Sequence, residues 1–271
     1  RGPMTMGAVT GYRCEVVDRT SDDGAIIKIT YERFVVSEKS ARADFAYDSD
    51  KDRPEDVADW AFPIKCAALG TSFEIQVDAN ATVTELHGIE EAREAALKVA
   101  TTEATRGYAR GVFDGTVERQ FWNRHFSSYS METVAPGATW KRSIDWYTGP
   151  NDHEFTLAAI PRDRSRSGER AIIQYRAKEA ADETEKHEPP AGDMRISERS
   201  MRCEGTAIFD IALGRVVEIH ETGRETAMIS QVTDAGNPAA RYKRTVDWRA
   251  ETRVIPFAER EKEKAAHRKS K

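Results

Sequence analysis

The chain has 271 residues, of which 39% are hydrophobic and 32% are charged, and its formal net charge is -5. This mildly acidic balance excludes nucleic acid as the main partner, because a phosphate-binding surface needs a concentrated basic excess. No apolar run approaches the roughly 18 residues of a membrane-spanning helix, so no transmembrane segment is predicted. The length and apolar content suffice for one large domain with a buried core.

The first quarter of the chain predicts strands followed by one short helix. Residues 11–36 predict a long hairpin, because two runs rich in Val, Ile, Tyr and Phe flank a polar turn at residues 21–24. A short strand is predicted at residues 43–47. Residues 54–69 then predict a short helix that Pro63 interrupts.

Three aspartates between this strand and this helix form a candidate metal site. Asp48, Asp50 and Asp52 stand at alternate positions, as do the first three side-chain ligands of a calcium loop. The pattern then departs from such a loop, because Arg53 replaces the glycine of the turn and Asp59 replaces the final glutamate. A solvated acidic turn is the preferred interpretation, and no other metal site is predicted.

Two segments predict similar β-hairpins. In residues 201–222, two alternating runs flank a turn in which Gly214 supplies a positive φ. Residues 70–88 repeat this pattern at a fixed offset. The same offset pairs Val77 with Asp210, so one of the hairpins must slip by a residue or carry a bulge.

A second similarity precedes each hairpin, since AIIK at residues 25–28 resembles AIIQ at residues 171–174. The chain therefore repeats the same order of two hairpins. This repeat predicts one curved antiparallel sheet built from two similar halves. Residues 1–257 would form this single β-rich domain. Residues 258–271 are charge-rich and predict a polar tail.

Residues 89–126 lose the alternation and predict helices. A break is expected near Gly107, because Gly107, Gly111 and Gly115 each lower helix propensity by about 1 kcal/mol relative to alanine. This helical segment would pack on one face of the sheet. The predicted fold class is therefore α+β, predominantly β.

Four aromatic residues are the candidate ligand-binding residues: Trp60, Phe113, Phe121 and Trp140. The simpler interpretation is that they form the core between the helices and the sheet. The functional alternative is an apolar cavity that they line, suited to a lipid or another hydrophobic ligand. Mutual contact among the aromatic rings would favour the first interpretation.

The remaining chemistry-bearing residues predict no active site. His87 and His220 hold equivalent positions in the two hairpins, but no third metal ligand is evident in the sequence, so they are interpreted as surface or edge-strand histidines. Cys14, Cys66 and Cys203 lack a paired spacing and are interpreted as small buried residues, with a Cys14–Cys203 disulfide as the alternative. No nucleotide-binding or hydrolase motif is present, so no cofactor is predicted.

The order and spacing of several segments resemble an uncharacterised family of exported bacterial proteins, catalogued as domain of unknown function six-two-six-three. The segments are the Asp23-Gly24 turn, YDS at 47–49, GTSFEIQVD at 70–78 with VTELHG after it, PGATW at 136–140 and FDIALGRVVE at 209–218. Ala81 departs from the pattern, since members often have glycine in that turn. The resemblance implies a periplasmic or cell-surface location, with a signal or anchor segment preceding Arg1, and it implies no known activity.

These observations together predict a non-enzymatic protein of the cell envelope that binds a hydrophobic ligand or a protein partner. The predicted sheet is similar to the half-barrels of lipoprotein carriers, which is an analogy of fold alone. The alternative is a structural or interaction module with a fully packed interior and no ligand.

Overall fold

The computed structural model describes residues 5–39, 44–53, 61–126, 132–146, 149–160, 169–178, 194–232 and 238–269. Trp60 lies outside these residues. The chain divides into two compact units, called unit 1 (Arg1–Phe126 with Pro256–Lys271) and unit 2 (Ser127–Ile255).

Unit 1 contains a five-stranded antiparallel sheet. Its strands are β1 (Thr5–Arg19), β2 (Ala25–Lys39), β3 (Asp44–Asp48), β4 (Ser72–Val77) and β5 (Val83–His87). Their order is β1-β2-β4-β5, and β3 pairs with β2 beyond the part that β4 covers. The hairpin predicted at residues 11–36 is confirmed as the β1–β2 pair, which is longer than predicted at both ends.

The helices of unit 1 are α1 (Ala61–Cys66), α2 (Ile89–Val99), α3 (Glu103–Val112), α4 (Gly115–Phe126) and α5 (Phe257–Lys269). The helical segment 89–126 is confirmed, but the predicted break near Gly107 is wrong, because Gly107 lies inside α3. The segment has two breaks instead: one at residues 113–114, and one where Thr102 caps α3 through reciprocal hydrogen bonds with Thr105. A capping box satisfies the unpaired N–H groups of a new helix, and this effect decides the boundary.

Helices α1 to α4 share one buried cluster with one face of this sheet, which confirms the packing predicted for residues 89–126. Ile29 and Ile75 from the strands and Ala92 and Ala96 from α2 are at most 1% exposed. Burial of one isoleucine contributes about 2 kcal/mol to folding. The small alanines let α2 approach the sheet closely, so that the interior is filled by side chains of both layers.

Unit 2 contains a six-stranded antiparallel sheet. Its strands are β6 (Thr139–Trp146), β7 (Gly149–Ala159), β8 (Arg170–Lys178), β9 (Met194–Asp210), β10 (Arg215–Val232) and β11 (Pro238–Arg253). They follow one another in the sheet in chain order. Ile144, Phe155, Leu157, Ile173 and Ala207 form a buried cluster on one face.

Each unit contains the same four-stranded arrangement, β1-β2-β4-β5 in unit 1 and β7-β8-β9-β10 in unit 2. Ala25 of β2 lies opposite Val77 of β4, and the equivalent Ala171 of β8 lies opposite Phe209 of β9. The pairing of β1 with β2 and of β7 with β8 skips one residue at equivalent positions. The pairing of β4 with β5 and of β9 with β10 does the same. The α+β class, predominantly β, is confirmed, but the copies lie in two sheets, which corrects the single sheet expected from the sequence.

The one-residue difference between the β4–β5 and β9–β10 hairpins lies in their turns. Asp78 and Asp210 are equivalent, and each side chain accepts a backbone hydrogen bond within its turn, from Thr82 at 2.8 Å and from Leu213 at 3.0 Å. The second turn is one residue longer and has Gly214 at φ 64°. The extra residue accounts for the slip predicted from the sequence, and both hairpins carry a bulge beyond it.

The C-terminal segment, for which the sequence predicts a polar tail, is held to unit 1 by ion pairs. Arg260 of α5 donates to Asp50 at 2.6 Å, and Lys264 donates to Glu32 at 3.0 Å. The two cations stand four residues apart, so they lie on one side of the helix.

All three cysteines lie within the described residues and form no disulfide. Cys66 and Cys203 are buried, as predicted, whereas Cys14 is exposed on β1. Cys66 donates to the Tyr47 hydroxyl at 3.2 Å. Burial raises the pKa of the Cys66 thiol, so it remains protonated at neutral pH.

Candidate functional site

The described aromatic candidates pack in two separate cores. Phe113 is 1% exposed, and its ring lies 5.7 Å from that of Tyr31. Phe121 lies 5.8 Å from Tyr12 in the same cluster. Trp140 belongs to the cluster of unit 2 instead. The three residues therefore do not form one common cluster, and those of unit 1 contact other core rings.

Trp140 stacks on Phe155 with 5.6 Å between ring centroids and 11° between planes. Its indole Nε1 is buried and makes no hydrogen bond to any described residue. Since a buried indole N–H usually has an acceptor, this position is under-satisfied. The stacked geometry makes Trp140 a core residue on the apolar face of its sheet.

Unit 1 contains a buried carboxyl group that is not predicted from the sequence. The Tyr31 hydroxyl donates to Glu118 Oε1 at 2.6 Å, and Glu118 is 7% exposed. Burial raises the pKa of Glu118, whereas the Tyr31 hydroxyl and, more weakly, the Trp122 indole lower it. The Trp122 contact falls short of hydrogen-bond geometry, and we assign Tyr31 as the partner. The pair joins α4 to the sheet.

His125 lies seven residues, or about two helical turns, beyond Glu118 and packs against Phe121 and Trp122. Its Nδ1 is 2.9 Å from the Phe121 carbonyl oxygen, to which it can donate. The surrounding rings desolvate the imidazolium and lower the pKa of His125 to about 4. His125 is therefore neutral at physiological pH.

Two of the three aspartates of the candidate calcium loop, Asp48 and Asp50, have cationic side chains as partners. Arg33 donates to both carboxylate oxygens of Asp48, at 2.9 and 2.7 Å, and Lys51 lies 3.0 Å from Asp48. Asp50 pairs with Arg33 and with the helix α5 arginine, while Asp52 accepts a backbone hydrogen bond from Asp48 at 2.8 Å. Arg33 holds the pKa of Asp48 well below its usual range. This geometry favours a salt-bridged turn over a calcium loop.

A polar groove of about 740 Å³ lies on the sheet of unit 2, across strands β7 to β11. Two adjacent cross-strand rows line it. The first row is Thr156, Gln174, Thr206 and His220, and the second is Glu154, Arg176, Glu204, Thr222 and Arg249. Side chains in one row point to the same face of a sheet, so the groove presents uncharged hydrogen-bonding groups beside alternating charges.

On the opposite face of this sheet, an aromatic side chain crosses a glycine. Tyr175 lies opposite Gly205, and its hydroxyl donates to Glu221 Oε2 at 2.6 Å on the strand beyond. A Cβ at position 205 would collide with the Tyr175 ring and lie 2.7 Å from the His220 carbonyl oxygen. Gly205 therefore lets Tyr175 connect β8 to β10 across β9.

His220 lies between two carboxylates at the β10–β11 side of the groove. Its Nε2 is 2.6 Å from Glu218, and its Nδ1 is 3.9 Å from Glu251. One ligand atom of each of the three residues lies within 4.8 Å of the others. The sequence indicates His220 but not Glu251, because Glu251 comes from the next strand and its approach depends on the β10–β11 register.

No protein-family model, curated protein or solved structure matches this chain. The resemblance to exported bacterial proteins therefore stays a prediction. Among the described residues, no helix is both long and apolar enough to cross a membrane.

Proposed function

We propose that the protein is a non-enzymatic binding module that holds an extended segment of a protein partner in the polar groove of unit 2. The alternating charges along one row of the groove support this proposal. Glu154, Arg176, Glu204 and Arg249 follow one another on successive strands, interrupted only by a threonine. Arg176 and Glu154 pair with each other at 3.2 Å. Glu204 and Arg249 therefore favour a partner with complementary charges, because electrostatic complementarity gives specificity and sets register.

The composition of the groove also supports a polypeptide over a lipid. The uncharged row offers hydroxyl and amide groups, which donate and accept hydrogen bonds as a peptide backbone does. The aromatic residues Phe113 and Phe121, by contrast, are in contact with other core rings. Ring contacts of this kind support the packed-interior interpretation over the apolar cavity. An extracytoplasmic location is part of the proposal, and its support is the sequence resemblance.

Site-specific photo-crosslinking in the native host tests the proposal. A benzoylphenylalanine at Thr206, in the middle of the groove, is expected to give a crosslinked species of defined mass. The matched control is the same group at Thr245, an exposed β11 residue that does not line the groove. Arg249→Glu should reduce the Thr206 crosslink at least about fivefold, because it reverses one charge of the row.

Equal crosslinking from both positions, or a Thr206 crosslink unaffected by Arg249→Glu, would overturn the proposal. Native mass spectrometry of the protein purified from its host provides a second measurement. A lipid retained at near-stoichiometric amount would support the hydrophobic-ligand alternative instead.

A further inference from the structure

We propose that Glu218, His220 and Glu251 bind one divalent transition-metal ion of the Zn²⁺ class on unit 2. His220 lies directly opposite Glu251 in the β10–β11 ladder, and Glu218 precedes it by two residues on the same strand. Residues two apart on a strand share a face, and residues directly opposite have Cβ atoms about 4.5–5.5 Å apart. The backbone therefore brings the three side chains together.

The separations of the ligand atoms suit a metal ion with a small side-chain adjustment. In a tetrahedral zinc site with bonds of about 2.0–2.1 Å, the ligand atoms lie about 3.3 Å apart. Here the three atoms lie within 4.8 Å of one another. Glu218 contacts Nε2 of His220 whereas Glu251 faces Nδ1, and one nitrogen of the ring binds the ion, so Glu251 has to move toward Nε2. Its side chain is 53% exposed and has room to rotate. Three protein ligands leave a fourth position for water, as in open zinc sites.

The donor types determine the metal class. Two carboxylates compensate the charge of a dication, and an imidazole nitrogen favours zinc and its transition-metal neighbours over calcium and magnesium. The existing contact between His220 Nε2 and Glu218 is a hydrogen bond of 2.6 Å, which metal binding would replace. Arg253 lies opposite Glu218 in the ladder, and Arg249 lies two residues before Glu251. These cations would weaken binding without blocking the ligand atoms.

The internal repeat supplies a matched control in unit 1. His87 and Glu85 reproduce the His220–Glu218 pair, with 2.9 Å between Nε2 and the carboxylate oxygen. Among the described strands, β5 is at the edge of its sheet, whereas β10 has β11 beside it. The carboxylate that corresponds to Glu251 is therefore missing from this pair within the part of the chain that the structure describes. Two ligands instead of three should bind a metal much more weakly.

The experiment measures metal binding to the full chain without any partner, so its outcome is independent of the function proposed for the groove. Isothermal titration with Zn²⁺ is expected to give one ion per chain. Co²⁺ as a spectroscopic substitute should produce the visible absorption of a low-coordinate site. Glu251→Gln and His220→Gln should each lower the affinity at least about tenfold, whereas His87→Gln should leave it unchanged.

Each contrary result overturns the assignment. Retention of the Co²⁺ spectrum in the His220→Gln, Glu251→Gln double variant would mean that other residues bind the ion. An equal loss in His87→Gln would contradict the requirement for the third ligand. Absence of stoichiometric Zn²⁺ binding to the wild-type chain would also overturn it. The circular dichroism spectra of the variants should match that of the wild type, because the substituted side chains are partly exposed.

Discussion

Glu118 and His125 lie seven residues apart on α4. Burial raises the pKa of Glu118 and lowers the pKa of His125, so the two residues affect the pH dependence of stability in opposite directions. The pKa of Glu118 is raised, so its stabilising contribution is present at low pH and is lost as pH rises above about 4.5, its unfolded value. The pKa of His125 is lowered to about 4, so its contribution is present above about 6.5 and is lost as pH falls. The contribution of Glu118 to the free energy of unfolding therefore falls as pH rises above about 4.5, and that of His125 falls as pH drops below about 6.5.

The contribution of His125 predicts a specific pH dependence. Between pH 6.5 and about 4 the unfolded chain takes up a proton that the folded chain resists, so the free energy of unfolding should fall. Because residue His125 is half-buried rather than fully buried, we expect a loss of about 1–2 kcal/mol rather than the roughly 3 kcal/mol of full burial. Urea unfolding of the wild type and of His125→Gln at pH 7 and pH 4.5 separates this difference from the opposing contribution of Glu118.

The variant His125→Gln should show a smaller fall in stability between these pH values than the wild type. His87→Gln is the matched control, because His87 is exposed and its substitution should leave the pH dependence unchanged. The same fall in all three proteins would contradict the assignment to His125.

At the scale of the element, strand pairing depends on small residues at a few positions. Local alternation predicts that β9 is a strand, but it does not show that Gly205 lies beneath the Tyr175 ring. That contact depends on which residue of β8 faces position 205 in the ladder. Gly107 shows the opposite case, since a Cβ there would meet nothing within 4 Å and the helix continues through it. Its intrinsic propensity is overridden by the capping of α3 and by packing.

These two glycines predict opposite effects of the same substitution. Gly205→Ala should lower the free energy of unfolding by about 2–3 kcal/mol, because the added Cβ collides with Tyr175 and with the backbone of His220. Gly107→Ala should raise it by up to about 1 kcal/mol through helix propensity. Chemical denaturation of both variants measures the two changes. Two changes of the same sign would contradict the packing that we describe around position 205.

At the scale of the whole molecule, the chain contains the same four-stranded arrangement twice and surrounds each copy differently. Helices cover the copy in unit 1, whereas β6 and β11 extend the copy in unit 2. The additional strand β11 supplies Glu251 to His220 and Arg249 to the groove. The chain then returns to unit 1 through α5, so that this unit is made of two separate stretches of sequence.

The return of the chain predicts that α5 stabilises the region around Asp50. The double variant Arg260→Gln, Lys264→Gln removes the ion pairs to Asp50 and Glu32, and it should cost about 1–2 kcal/mol, because Arg260 and Asp50 are largely buried. Hydrogen exchange should become faster at residues 48–53. Exchange in β10 serves as the internal control, and equal acceleration there would indicate a global rather than a local effect.

Local periodicity by itself determined the hairpin of β1 and β2, the two similar hairpins, the Gly214 turn and the helical segment 89–126. These features depend on residues close together in sequence, whose side chains alternate or recur with a fixed period. Only the tertiary structure decided that the strands form two sheets. It also decided that Tyr31 hydrogen-bonds to Glu118, 87 residues away in sequence, and that Arg260 pairs with Asp50, 210 residues away. Such contacts depend on which strand or helix lies beside which. Local patterns leave that choice undetermined, because many arrangements bury the same apolar faces.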